Sequence, residues 1–311
     1  MKKRKLNKKA YIAIALIIII IITIILSVKH YNYINSTYYK LLQTGYTKEE
    51  VTTILEKDIN IDVALEEYNA SFVKFLNSKY FMRNHFDRYL AYYKENSTIE
   101  INRIVSIVNA NADKDFYTDV NTVYGDDYLI LVNKYNTLES SFAPSDLVDI
   151  SIQYAYDGHQ IRDAVNTAYI SMARAAAKEG LTLIVNSSYR SYEKQETTYN
   201  SLVSSKGKTV ADQTAARPGY SEHQTGLAID ITTRLEDDEE FVDTEEFTWL
   251  KENSYKYGFI LRYPEDKEDI TGYAYEPWHY RYVGVDVATQ IYNEGITFDE
   301  YYAYYIETSI K

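Results

Sequence analysis

Hydrophobic and polar positions along this chain fall into three regimes. The first is an unbroken apolar run over residues 10–28 that carries no charge. As a helix it would span roughly 28 Å, close to the hydrocarbon thickness of a bilayer. In the second regime, residues 31–98, apolar positions recur at helical spacing. Residues 41–55 read as two helices around a break at Gly45, with Thr47 and Glu50 in a capping-box pattern and Val51, Ile54 and Leu55 on one face. Residues 71–94 read as one further amphipathic segment, rich in aromatics and containing His85 as a packing or surface residue. Asn96, Ser97 and Thr98 read as a linker, and the apolar stretch 99–110 fits strand or helix alike.

The third regime alternates short apolar runs with longer helical ones. Residues 128–135 predict a strand buried on both faces. Residues 160–178 predict a helix with Ile161, Ala164, Val165, Ala168, Met172 and Ala175 on one face and Gly180 just past its end. Further strands are predicted at 181–185, 227–229, 259–263 and 278–283, and further helices at 244–256 and 285–293. In the strand at 278–283, period two puts His279, Arg281 and Val283 on one face. The organisation expected is a basic start (1–9), a membrane span (10–28), a helical stalk module (31–98), a connecting segment (99–127), a main domain (128–295) and a Tyr-rich tail (296–311).

Charge sets the topology. Lys2, Lys3, Arg4, Lys5, Lys8 and Lys9 precede the apolar run, which keeps the start in the cytoplasm and puts the rest outside. A cleaved signal peptide is the rival reading, but Leu26-Ser27-Val28-Lys29-His30 offers no small-x-small cleavage site. The chain has no cysteine, which excludes disulfides and any Cys-ligated metal. A net charge of -12 argues against a nucleic-acid partner. The 34 tyrosines read as a compositional bias rather than as a glycan-stacking surface. The acidic run Glu236-Asp237-Asp238-Glu239-Glu240 reads as a solvated loop, with a calcium site as the alternative.

Candidate chemistry concentrates in three stretches. In Ser221-Glu222-His223-Gln224-Thr225-Gly226-Leu227-Ala228-Ile229-Asp230 a His and an Asp flank a Gly corner and the start of an apolar strand. In Glu276-Pro277-Trp278-His279-Tyr280, Pro277 cannot continue a ladder, so Glu276 belongs in a turn beside His279. Two His, one Asp and a spare Glu are the parts of a catalytic zinc site with an open position. The competing explanation is a pair of core histidines bonded to carboxylates. The third stretch, Ser188-Tyr189-Arg190-Ser191, places Arg190 at a strand-to-helix corner. There it would contact an anion or carbonyl, or form a surface ion pair with Glu193 or Glu196. His159, just before a predicted helix, reads as structural or exposed.

Taken together and in this order, the three stretches resemble the VanY-type D-alanyl-D-alanine carboxypeptidases, within the zinc peptidase group that includes lysostaphin-like enzymes and the hedgehog domain. The resemblance covers roughly residues 128–295. It implies an α+β fold, a small antiparallel sheet holding the metal with helices packed on it. It implies one zinc ion per chain on His223, Asp230 and His279, Glu276 as catalytic acid-base, Arg190 as a second catalytic group, and Gln195 and Ser221 as substrate contacts. The implied reaction removes the terminal D-alanine from peptidoglycan stem peptides. An L,D-carboxypeptidase or cross-bridge endopeptidase on the same scaffold is the alternative within enzymes. A non-catalytic zinc-binding receptor domain is the alternative outside them, and Glu276 argues against it because a receptor needs no general base.

Overall fold

The computed structural model describes residues 7–234 and 240–307, and the chain divides into two compact units, Met1–Val105 and Ser106–Lys311. In the first unit the apolar run forms the helix Lys8–Ile34, with no residue buried and a mean hydropathy of 3.2 in its most apolar window. It is long and apolar enough to cross a membrane. The helices Thr37–Thr44 and Lys48–Glu56 follow, separated by Gly45. The capping box is formed, with Glu50 N donating to Thr47 Oγ1 at 3.2 Å and Thr47 N donating to Glu50 Oε2 at 2.8 Å.

The segment expected as one amphipathic helix over 71–94 is broken instead. It forms the helix Ala70–Leu76, a 3-10 turn Arg83–His85 and the helix Phe86–Glu95. Aromatic packing explains the break. Phe72 meets Phe86 edge-on at 4.7 Å and Phe75 stacks on Tyr89 at 5.6 Å, contacts that a straight helix could not make. The ambiguous stretch 99–110 is helical over Ile101–Asn109, with Ile104, Val105, Ile107 and Val108 buried.

The second unit holds eight short strands among its described residues. A parallel pair joins β1 (Asn121–Thr122) and β2 (Asn136–Thr137), and an antiparallel pair joins β3 (Leu147–Asp149) and β4 (Gln160–Arg162). The central sheet contains β5 (Ile184–Ser187), β6 (Ala228–Thr232), β7 (Phe259–Leu261) and β8 (His279–Tyr282) in the order β5-β6-β8-β7, antiparallel throughout. The helix Asp163–Lys178 contributes Val165, Tyr169, Met172 and Ala176 to the core beside Val185, Ile229, Ile231 and Tyr280 of the sheet. Side chains alternate along a strand, so Asp230, between Ile229 and Ile231, faces away from that core, and so do His279 and Arg281 on either side of Tyr280. The predicted helix over 160–178 starts later, because residues 160–162 pair with β3.

The strand expected over 128–135 is not formed. Ile130, Leu131, Val132 and Tyr135 are buried, but the backbone is bonded elsewhere: Arg281 Nη2 donates to the carbonyls of Tyr128 at 2.9 Å and Ile130 at 2.8 Å. A buried guanidinium takes the place of a partner strand. The Tyr-rich tail is packed as far as it is described, to residue 307. Phe298–Tyr301 and the π-helical turn Tyr302–Glu307 pack with Phe298, Asp299 and Tyr304 buried. Of the acidic run 236–240, all but Glu240 lies outside the described residues.

One buried cation in this unit makes a pH-dependent contribution. Lys134 is nearly inaccessible, donates to the carbonyls of Asp212 at 2.7 Å and Gly272 at 2.5 Å, and lies 4.4 Å from the rings of Phe116 and Tyr273. Burial lowers its pKa from 10.5 to about 8, against the pull of Asp212. Between those values the unfolded chain binds more protons than the fold, so this term stabilises the fold as pH rises. The gap in unfolding free energy, wild type minus Lys134→Met, each as the full chain in detergent, should therefore become more positive by about 1–2 kcal/mol between about pH 8 and about pH 10. A gap that is flat or becomes more negative over that interval, measured by denaturant titration, would contradict this account.

Candidate active site

The site is assembled from a turn and two neighbouring strands. Residues 222–225 form a 3-10 turn that ends at Gly226 with φ +66°, and the chain then enters β6. Glycine is required at that corner. A Cβ there would lie 2.9 Å from Arg162 Cγ and 3.1 Å from Leu147 Cδ2, besides straining a left-handed backbone. The turn returns His223 alongside Asp230. In the β6-β8 ladder Asp230 lies directly opposite His279, the closest cross-strand relation available.

The side chains converge. His223 Nδ1 lies 2.8 Å from the carbonyl of Ser188. A carbonyl only accepts, so Nδ1 carries the proton and the Nε2 lone pair is free, 3.4 Å from Asp230 Oδ2. His279 presents Nδ1 to Asp230 Oδ1 at 3.0 Å and turns Nε2 toward Glu222 Oε2 at 3.6 Å. One ligand atom from each of His223, Asp230 and His279 lies within 4.8 Å of the others. The three form a cluster able to hold a metal ion, and two imidazole nitrogens with a carboxylate oxygen form a donor set that suits zinc.

The charges fit a cation at that point. Burial works against the charged form of His279, but the carboxylates of Asp230 and Glu222 beside it outweigh it and lift its pKa to about 9. The pocket thus stabilises positive charge, which a metal ion would bring in place of the proton. Asp230 Oδ1 is buried without a hydrogen-bond partner, as a ligand atom would be in the absence of its ion. Burial opposes ionisation of Asp230 as well, yet His223 and His279 hold its carboxyl far below the usual range. Burial lowers the pKa of His223 against the pull of Asp230, which favours the neutral ring that a metal ion binds.

Glu222 was not singled out in the sequence. It is completely buried, and its Oε1 accepts from Arg262 Nε and Arg281 Nη1, both at 2.8 Å. Desolvation pushes its pKa up, but Arg262 and Arg281 more than reverse this and keep it ionised. Arg262 and Arg281 were missed as well. The available signals were an acid next to His223 in a buried turn, an arginine sharing the His279 face, and an arginine directly after the apolar residues 259–261.

The remaining candidates line one cleft of about 250 Å³ that opens on the cluster. Glu276 sits in the expected turn, with His279 N donating to its carbonyl at 3.1 Å, and its Oε2 is 3.7 Å from His279 Nδ1. Burial, reinforced by Asp230 and against the pull of His279, raises its pKa to about 7. Arg190 donates to Gln195 Oε1 and Ser187 Oγ, each at 2.8 Å, rather than pairing with Glu193 or Glu196. Gln195 also donates to the carbonyl of Ala216 at 2.7 Å, so both ends of its amide are used within the protein. Ser221 lines the cleft at the start of the turn. His159 stays outside this lining, its Nδ1 3.1 Å from Ser188 Oγ.

Known proteins resemble this chain in sequence and fold. The family model for VanY, D-alanyl-D-alanine carboxypeptidase, matches residues 158–285, which include every candidate above. The chain is 42% identical over 201 residues to the putative carboxypeptidase YodJ of Bacillus subtilis (strain 168), covering 60% of this chain and 74% of that protein. The chain belongs to the VanY family. Among solved structures, the LdcB LD-carboxypeptidase, whose structure addresses peptidoglycan recognition, is 42% identical with a TM-score of 0.56, over 61% of this chain and 94% of that one. VanYB in complex with D-alanine-D-alanine is 38% identical with a TM-score of 0.50, over 56% of this chain and 96% of that one. As a VanY-family protein the chain is a metallo-carboxypeptidase, and its sheet, cluster and cleft are the structural basis of that activity. The helical module before residue 106 lies outside the matched residues.

The cluster makes a direct prediction. The purified chain should carry about one zinc ion, and His223→Ala should carry almost none, because two remaining ligands make a poor tetrahedral site. Metal analysis after gel filtration measures this, and undiminished zinc in the variant would rule out His223 as a ligand.

Proposed function

We propose that this chain is a zinc-dependent D-alanyl-D-alanine carboxypeptidase that removes the terminal D-alanine from peptidoglycan stem peptides. The observation that carries the reading is Glu276, a carboxylate raised to about 7 beside a His-Asp-His cluster at the base of an open cleft. Bound zinc would supply Lewis acidity toward the scissile carbonyl and lower the pKa of the attacking water.

The residues of the chain do the rest. Glu276, with a pKa near the working pH, takes the proton of the attacking water and returns it to the leaving amine. Arg190 directs positive charge into the cleft toward the carbonyl oxygen as it becomes negative. Gln195 holds the Arg190 guanidinium in that orientation, and so supports substrate binding through Arg190. Ser221 offers a hydroxyl to the terminal carboxylate of the substrate. His223 is kept in one tautomer by Ser188, and His279 is oriented by Glu222.

A second reading has one specific observation in its favour: the LdcB LD-carboxypeptidase is slightly more similar to this chain than VanYB is. On that reading the bond cleaved follows an L-centre. Incubation with defined stem pentapeptide and tetrapeptide, with products identified by mass, separates the two. Loss of one alanine from the pentapeptide with the tetrapeptide untouched supports D,D-cleavage, and the reverse overturns it. In the same assay Glu276→Gln should retain zinc and lose activity by roughly 10²- to 10⁴-fold. Arg190→Ala should lower kcat more than it raises KM, and a pure KM effect would place Arg190 on the carboxylate instead.

The location follows the same reading. The apolar helix Lys8–Ile34 anchors the chain, the basic start stays in the cytoplasm, and the catalytic unit faces the cell wall. Membrane-bound protein should have an intact N-terminus by peptide mapping, whereas mature protein in the medium starting near Lys29 would show cleavage.

A further inference from the structure

The last described segment of the chain closes over the charges behind the cluster. Phe298–Tyr301 is a single helical turn, fixed at its start by a capping box: Glu300 N donates to Thr297 Oγ1 at 3.2 Å and Thr297 N donates to Glu300 Oε2 at 2.7 Å. Phe298 and Asp299 are buried. Asp299 Oδ2 accepts from Arg262 Nη1 at 2.5 Å, and Asp299 Oδ1 accepts from Arg262 Nη2 at 3.3 Å and from Asn133 Nδ2 at 2.8 Å. The Phe298 ring lies 5.6 Å from the Arg262 guanidinium carbon and 5.0 Å from that of Arg281. One short segment thus covers both cations that hold Glu222.

Arg262 is shared between two carboxylates, with Nε on Glu222 and its two Nη atoms on Asp299. A guanidinium is planar, so fixing the Nη edge fixes the direction from which Nε meets Glu222. Glu222 Oε1 is fully engaged by the two arginines, which leaves Oε2 facing His279 Nε2. At 3.6 Å these two atoms stand just beyond hydrogen-bond distance, and neither has a hydrogen-bond partner among the described residues, so each is the only group the other can close on. Without Asp299, the unshared Arg262 cation would draw on Glu222 alone and compete with His279 for it. An imidazole whose far N–H is held by a charged carboxylate is better oriented and more basic at its metal-binding nitrogen.

On the metal-peptidase reading of the site, we propose that Asp299, in the segment 298–301, is a positioning residue for His279, acting through Arg262 and Glu222. This segment lies beyond the residues matched by the family model, 158–285.

The test compares zinc affinity across variants of the full chain in detergent, by competition with a chromogenic chelator. Asp299→Asn should weaken zinc binding by about 10- to 100-fold. Thr297→Ala, which removes the cap of the same turn but touches neither arginine, should lower Tm and leave zinc affinity within about twofold of wild type. If Asp299→Asn does not fold, Phe298→Leu takes its place and should weaken zinc binding several-fold where Thr297→Ala does not. Wild-type affinity in Asp299→Asn overturns the proposal, and so does an equal loss in Thr297→Ala. Stem-peptide hydrolysis by the wild type is measured alongside. An inactive wild type whose Asp299→Asn variant still loses zinc affinity removes the peptidase reading and keeps the relay. An active wild type whose variant binds zinc normally removes the relay alone.

Discussion

The carboxylate of Glu222 is shut away from solvent, and a buried charge is costly unless it is paired and hydrogen-bonded. Arg262 and Arg281 meet that requirement on one oxygen, and the other is left to His279. Much of the domain is arranged to make this possible. Arg281 is held in turn by the carbonyls of Tyr128 and Ile130, and Arg262 by Asp299. Breaking a buried pair of this kind typically costs about 3–5 kcal/mol, because it strands a charge. The cluster is therefore rigid, and the rigidity passes to the imidazole that it supports.

The sheet supplies the geometry that the charges require. Asp230 and His279 face each other because β6 and β8 pair in one register, and both point away from the core because their neighbours Ile229, Ile231 and Tyr280 point into it. A slip of one residue would exchange the two faces, putting isoleucine in the site and a carboxylate in the core. The apolar packing against the helix Asp163–Lys178 thus fixes which residues can be ligands. Gly226 adds His223 by turning the chain where no other residue fits.

Three carboxylates within one small site behave differently because their surroundings differ. Two guanidiniums keep Glu222 ionised, two imidazoles keep Asp230 ionised, and burial beside a second negative charge lifts Glu276 to about 7. On the proposed mechanism, residues of the same chemistry are thereby divided into an orienting group, a ligand and a proton carrier. This division suits the proposed hydrolysis, in which a proton has to be taken up and released near neutral pH.

The sequence alone determined the features that rest on local pattern. The apolar run before residue 34 dictates an exposed helix of membrane-spanning length, and Thr47 with Glu50 dictates a helix start. The spacing of His223, Gly226 and Asp230, and the Pro277 turn before His279, made the candidate ligands and the place of Glu276 legible. It was the resemblance of three motifs to the VanY type, not the spacing, that decided for a metal site over a pair of core histidines. Other features depended on partners far along the chain. The aromatic pairs that split 71–94, the guanidinium that replaces a strand partner at 128–130, and the path from Asp299 through Arg262 to Glu222 have no local signature. Arg262 and Arg281 are 40 and 59 residues from Glu222, and Asn133 is 166 residues from Asp299. Periodicity reports which face of an element is apolar, but not which distant charge will meet it. Only the folded chain decides that, because a buried charge is stable only where its partner has also been carried inside.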